Sequence, residues 1–168
     1  MFQGWSNFFT MAGSAGATLL GLLFVVVTLG NNLPASRKLD IAHASMTPAL
    51  YSFGGVLVQS MLVLVPWQTN WHSGIALGTL GLGGLVYRVN AVRVRNSLHL
   101  AALQRPVDRI FHNVFPVGAS VVLIFGSVGL VEEWAIAPFA VALSSTLLLV
   151  SGIYRSWSQT LALIGLQE

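Results

Sequence analysis

The sequence predicts an all-α protein: a polytopic bundle of about five transmembrane helices, with its N-terminus outside and its C-terminus cytoplasmic. Three observations carry this reading. The 168-residue chain is 55% hydrophobic and 8% charged, with mean hydropathy +0.76, which is more apolar surface than a soluble core of that length absorbs. Its Asp, Glu, Lys and Arg residues leave five apolar stretches untouched, most of them near the roughly 20 residues that cross a bilayer's hydrocarbon core. All eight Lys and Arg residues then fall on one side of the resulting map.

The first span covers about residues 8–29 and contains "MAGSAGATLLGLLFVVVTL", which has no charge and crowds its small residues into its first half. Met1 to Thr10 holds no Lys or Arg, and the apolar run from Phe8 exceeds a signal peptide's core, so this stretch reads as a retained helix. The second span is 47–66, the third 73–87, the fourth 113–131 and the fifth 135–153. Prolines punctuate them: Pro34 follows the first, Pro66 closes the second, and Pro48, Pro116 and Pro138 sit in opening turns, where a missing N–H costs nothing. A cytoplasmic loop, 88–112, separates spans three and four; its Val89, Val92, Leu100 and Leu103 alternate with basic residues, as in a helix continuing span three until Pro106 breaks it. An amphipathic tail, 154–168, carries Trp157, Leu161 and Ile164 in line with Ile153 and extends span five. At the other end, Phe2, Trp5 and Phe9 are spaced as an aromatic stripe on the outer leaflet. The whole chain forms a single transmembrane domain.

Orientation follows from the charges. Arg37 and Lys38, then Arg88, Arg93, Arg95, Arg105 and Arg109, then Arg155 share one side, while the other receives Glu132 and Glu133 and no basic residue. Trp5, Trp67, Trp71 and Trp134 map outside and Tyr51, Tyr87, Tyr154 and Trp157 inside, so each lies near an interface, where amphipathic rings are favoured. The net charge of +3 and pI near 10 are accounted for by topology. No base-stacking aromatics interleave the basic segments, which argues against nucleic acid as a partner.

Within the spans, Gly13, Ala17 and Gly21 recur every four residues, and Gly74 and Gly78 repeat that spacing in span three. Such small-xxx-small faces let helix backbones approach in lipid, where no hydrophobic drive pushes helices together. They are the predicted helix-packing interface, within the chain or toward other membrane proteins or copies of itself. Gln59, near the centre of span two, needs a hydrogen-bond partner; a Ser, Thr or backbone carbonyl is the plain reading, and a pore-lining or ligand contact the sharper one. Glu132 and Glu133, in "GLVEEWAIAP", either favour the start of the following helix or form a cation site at an outer mouth.

Chemistry-bearing motifs are absent from the sequence. Without cysteine there is no disulfide or thiolate site. No H-E-x-x-H, P-loop or dinucleotide fingerprint occurs, and the glycine–serine runs at 13–16 and 126–129 lack nucleophile-elbow spacing. His43, His99 and His112 map to one side, His72 to the other; no ligand spacing repeats among them, so no cofactor and no metal is predicted. A tetrapyrrole or pigment held by His43, His99 and His112 is the alternative. The spans carry no Asp, Glu, Lys or Arg of the kind pumps and proton-coupled carriers keep in the membrane.

The first span, "AGSAGATLLGLLFVVVTL", followed by a short basic loop and a second span ending "LVLVPWQ", resembles small bacterial membrane proteins labelled modulators of a membrane-bound ATP-dependent protease. That resemblance covers about residues 8 to 70 and implies the bacterial cytoplasmic (inner) membrane and a regulatory role; it brings no catalytic residues. The residues themselves point to a non-enzymatic accessory or regulatory subunit packed laterally in a larger complex, its partner a protease, a respiratory complex or a pigment complex. The alternative is a small homo-oligomeric ion channel with Gln59 facing the pore and Glu132 and Glu133 at its outer mouth.

Overall fold

A computed structural model describes residues 2–29, 47–97 and 114–164. Those residues form a short 3-10 turn, Gln3–Trp5, and five α-helices, with no β-strand among them: α1 Ser6–Leu29, α2 Thr47–Leu64, α3 Asn70–Ser97, α4 Phe115–Val131 and α5 Ala137–Ile164. Two segments are long and apolar enough to cross a membrane, Ser6–Val25 in α1 and Ala137–Trp157 in α5, while Pro48–Leu64 and Phe115–Val131 are shorter apolar helices. The predicted histidine group His43, His99 and His112 lies outside the described residues, as do Arg37, Lys38 and Pro106.

Helix boundaries follow local chemistry. Pro48, Pro116 and Pro138 each occupy a first turn. α2 stops before Val65 and Pro66, because a residue preceding proline is driven out of helical geometry, and the Trp67 indole N–H donates to the Leu62 carbonyl at 2.7 Å, satisfying one of the helix's last acceptors. α3 starts three residues before the predicted span and runs ten past Tyr87, carrying Arg88, Arg93 and Arg95 on the helical continuation expected at the start of the 88–112 segment. α5 likewise continues through Trp157 to Ile164.

Close contacts give the layout. On α1, a methyl group added at Gly13 would sit 2.9 Å from the Ser60 Cβ, and one at Gly16 3.0 Å from the Phe53 carbonyl oxygen. Higher residue numbers on α1 thus meet lower ones on α2, so the two helices are antiparallel. The same descending order pairs Gly74 with Ser127 and Val131, and Gly81 with Ile124, across α3 and α4; Gly126 with Val141 across α4 and α5; and Gly152 with Phe53 across α5 and α2. The helices therefore form an arc in the order α1, α2, α5, α4, α3, with α3 touching α2 only lightly. Phe9 is fully buried and Phe2 packs edge-on against it at 5.8 Å, while Trp5 meets Phe139 of α5 at 4.6 Å. The expected outer-leaflet stripe of Phe2, Trp5 and Phe9 is thus corrected: it turns inward and seats the start of α1 on α5.

The core is unusual in its polarity. Ser52, Ser60, Ser120, Ser127, Ser144, Ser145 and Ser151 are buried, whereas Met11, Leu22, Phe24, Met61, Leu82, Phe125, Phe139 and Leu143 are exposed. Most of these serines return their hydroxyl proton to a carbonyl one turn back, as Ser120 does to Pro116 at 3.2 Å and Ser145 to Val141 at 3.3 Å. Ser144 instead donates across the interface to the Ala119 carbonyl of α4 at 2.8 Å.

Because the Ser127 carbonyl oxygen lies 2.8 Å from where a Gly74 side chain would begin, and backbone cannot step aside, Gly74→Val is expected to cost roughly 1–3 kcal/mol of stability. Gly21→Ala, with nothing within 4 Å of the added methyl, should leave stability unchanged or raise it by up to about 1 kcal/mol. Thermal unfolding in detergent, followed by circular dichroism, measures both.

Candidate functional site

Because α3 follows α4 rather than α2, an apolar groove of about 430 Å³ is left between α2 and α3. Gly54 and Gly55 of α2 and Gly81, Gly83 and Gly84 of α3 keep its walls thin; Leu123 of α4 and Leu148 of α5 form its floor. Along α2 it extends from Leu50 to Gln59 and along α3 from Thr79 to Arg88, a length of about 13 Å at 1.5 Å per residue.

One end is aromatic and cationic. Tyr51 and Tyr87 stack across the two helices with ring centroids 3.9 Å apart. The Arg88 side chain reaches back along α3, as helix side chains do. Its Nη1 donates to the Pro116 carbonyl at 2.8 Å and to the Ser120 hydroxyl, and lies 3.5 Å from where a Gly84 side chain would begin. No carboxylate pairs with it among the described residues. The two described carboxylates, Glu132 and Glu133, stand at the other end of α4, some 16 residues from Pro116, or about 24 Å along the helix. Arg155 of α5, buried at 8% exposure, acts electrostatically on the same Tyr87 hydroxyl as Arg88 does.

Gln59 lies toward the opposite end. Its side chain is wholly buried and its Nε2 donates to the Val141 carbonyl of α5 at 2.9 Å, while its Oε1, also buried, accepts no hydrogen bond among the described residues. The amide is thus turned into this chain's own bundle and offers no exposed atom to a pore shared between copies.

The remaining predicted residues are dispersed. Gly74 and Gly78 lie on the α3–α4 seam, Gly78 with the Ser127 hydroxyl 3.1 Å from its would-be methyl. Gly13 lies on the α1–α2 seam, but Ala17 and Gly21 do not share it: both are exposed, and Gly16 takes the next place along the contact. The reason is helical geometry. A strict four-residue step advances about 400°, drifting some 40° round the helix each time, whereas alternating steps of four and three keep to one line. Phe9, Gly13, Gly16 and Leu20 follow that line, and Leu20 meets Gly54.

Glu132 and Glu133 end α4. Glu133 has φ 59°, and the Trp134 N–H returns to the Gly129 carbonyl at 2.8 Å, a Schellman closure whose left-handed position usually holds glycine. Its Oε1 accepts from the Asn70 side-chain amide at 3.2 Å, where α3 begins. His72 hydrogen-bonds to the Thr69 hydroxyl in that same cluster of turns, and no group of three His, Asp or Glu residues suited to a metal ion occurs among the described residues.

Sequence reasoning missed the site's cation, reading Arg88 only as a topological charge. The signal was present: Gly81, Gly84 and Arg88 follow the three-then-four spacing of a single helix face. Compared with known proteins, the chain matches no protein-family model, no curated protein and no solved structure.

Two outcomes follow from this geometry. Gln59→Leu exchanges a half-satisfied buried amide for an apolar side chain of similar size and is expected to change stability by no more than about 1 kcal/mol, whereas Gln59→Glu, which buries a charge, should cost several kcal/mol; chemical denaturation of the detergent-solubilised variants separates them. Glu133→Val places a β-branched residue at positive φ and should lower stability by about 1–2 kcal/mol, a loss that Glu133→Gly does not show by the same measurement.

Proposed function

We propose that this chain is a multi-pass protein of the bacterial cytoplasmic membrane and serves, without catalysing a reaction, as an accessory or regulatory subunit packed laterally against other membrane proteins. The observation that carries the reading is the distribution of polarity: serines and Gln59 share the interior with apolar side chains, while many leucines, valines and phenylalanines lie exposed outside. In water that arrangement exposes the groups water disfavours. In hydrocarbon it gives most buried serines and the Gln59 Nε2 an internal acceptor and leaves apolar surface to lipid and to neighbouring helices.

The two shorter apolar helices fit the same reading, since α4 with its 17 residues spans about 26 Å, close to the bilayer's apolar thickness of roughly 30 Å. The positive-inside pattern supports an outer N-terminus, and stacking of Tyr51 on Tyr87 at one end of the bundle suits a cytoplasmic interface. Lateral association is supported by α1, which is held almost wholly by α2 and presents Ala17, Gly21, Leu22, Phe24 and Val25 outward. An exposed small residue beside large ones admits a second helix at close range. The resemblance of the first two spans to protease modulators is in keeping with such a role.

Alkaline carbonate should leave the protein in native membranes. Reporter fusions after Gln104 and at Glu168 should read cytoplasmic, and one at Glu133 should not; an exported Gln104 fusion overturns the orientation. Gentle solubilisation followed by mass spectrometry of co-migrating proteins should find a partner, and Ala17→Leu should release it while the variant still folds. A chain that migrates alone under conditions preserving other complexes overturns the subunit role.

A further inference from the structure

We infer that the groove between α2 and α3 binds one anionic phospholipid, its phosphate on the Arg88 guanidinium and an acyl chain lying along the glycine walls toward Gln59. The inference rests on the membrane reading above and adds a ligand to it. Two features select a lipid as the occupant. The groove is apolar along its length, with a cation at one end only, which is the polarity of a lipid and not of a soluble metabolite. At that end the stacked rings of Tyr51 and Tyr87 bridge α2 to α3, which bars a partner's helix, about 10–12 Å across with its side chains, from lying along the whole groove.

Charge decides the headgroup. Arg88 spends Nη1 on Pro116 and Ser120, which fixes the guanidinium at the groove end, and its other donors have no hydrogen bond among the described residues and suit a ligand. A guanidinium is the planar donor suited to two phosphate oxygens. A zwitterionic lipid would bring its own cation beside Arg88 and into the field of Arg155; phosphatidylglycerol brings a phosphate without one. Arg88 turns back beside Gly84, one turn nearer the middle of α3.

The test uses the full chain, purified in mild detergent and exposed to phosphatidylglycerol or phosphatidylcholine of matched acyl chains. Native mass spectrometry should find one phosphatidylglycerol retained per chain, and that lipid alone should raise the unfolding temperature. Arg88→Gln should weaken retention about tenfold, or 1.4 kcal/mol. Since Arg88 also ties α3 to α4, a second variant guards against misfolding: Gly83 lines the groove and a Cβ added there meets nothing within 4 Å, so Gly83→Leu places its side chain in open space rather than in a helix seam. It should unfold no lower than the parent in phosphatidylcholine yet lose phosphatidylglycerol about tenfold. Equal retention of both lipids by the parent chain, or undiminished retention by Gly83→Leu, overturns the proposal. Release of the chain by alkaline carbonate would overturn the membrane reading instead; a chain that stays embedded without preferring phosphatidylglycerol overturns this inference alone.

Discussion

At Gly74 and Gly81 the backbone of α3 comes so near α4 that a methyl group would overlap the Ser127 carbonyl and the Ile124 side chain. That separation sets most of what surrounds it. Dispersion between atoms falls off within an ångström of contact, so the closest seams of this bundle are those where backbone meets backbone. Because α3 meets α4 on these terms, it cannot also close on α2, and the space forgone on that side is the groove. Gly13 and Gly16, Gly126 and Gly152 apply the same condition at the other seams.

With small residues at the seams, serine shares the interior with large side chains such as Phe9, Phe53, Leu77 and Leu130. A serine hydroxyl is nearly as small as a methyl group and carries its own local acceptor one turn back, so burying it costs little once that bond is made. Ser120 does more, because its hydroxyl also receives Arg88. A residue that first serves packing thereby fixes the orientation of the chain's one described cation at the groove.

Much of the helix plan was legible in the sequence, because proline and charge act locally: Pro48, Pro66, Pro116 and Pro138 mark helix ends within a residue or two. The apolar part of the third span ends at Tyr87, but the alternation of Val89 and Val92 with basic residues already pointed to a helix continuing beyond it, and since arginine is a good helix former α3 runs on to Ser97. What periodicity could not supply was pairing across the bundle. Gln59 finds its carbonyl 82 residues away on α5, and nothing in either segment names the other. The drift of a four-residue stripe was calculable, but which of Gly16 and Ala17 faces α2 depends on the angle at which the helices cross, a property of the pair. The groove was illegible for the same reason, being the place where two helices adjacent in sequence fail to meet.

The arc of helices divides the chain into two families of contacts, α1 with α2, and α3 with α4 and α5, joined chiefly where Phe53 lies against Gly152. Within each family the partners are sequence neighbours, so their loops close at small entropic cost as the chain emerges during synthesis. The junction of α2 with α5 must wait for the last helix. Assembly is therefore a mating of a helical hairpin with a three-helix unit, and until α5 arrives the face of α2 that will meet it, around Phe53, has no partner within the chain.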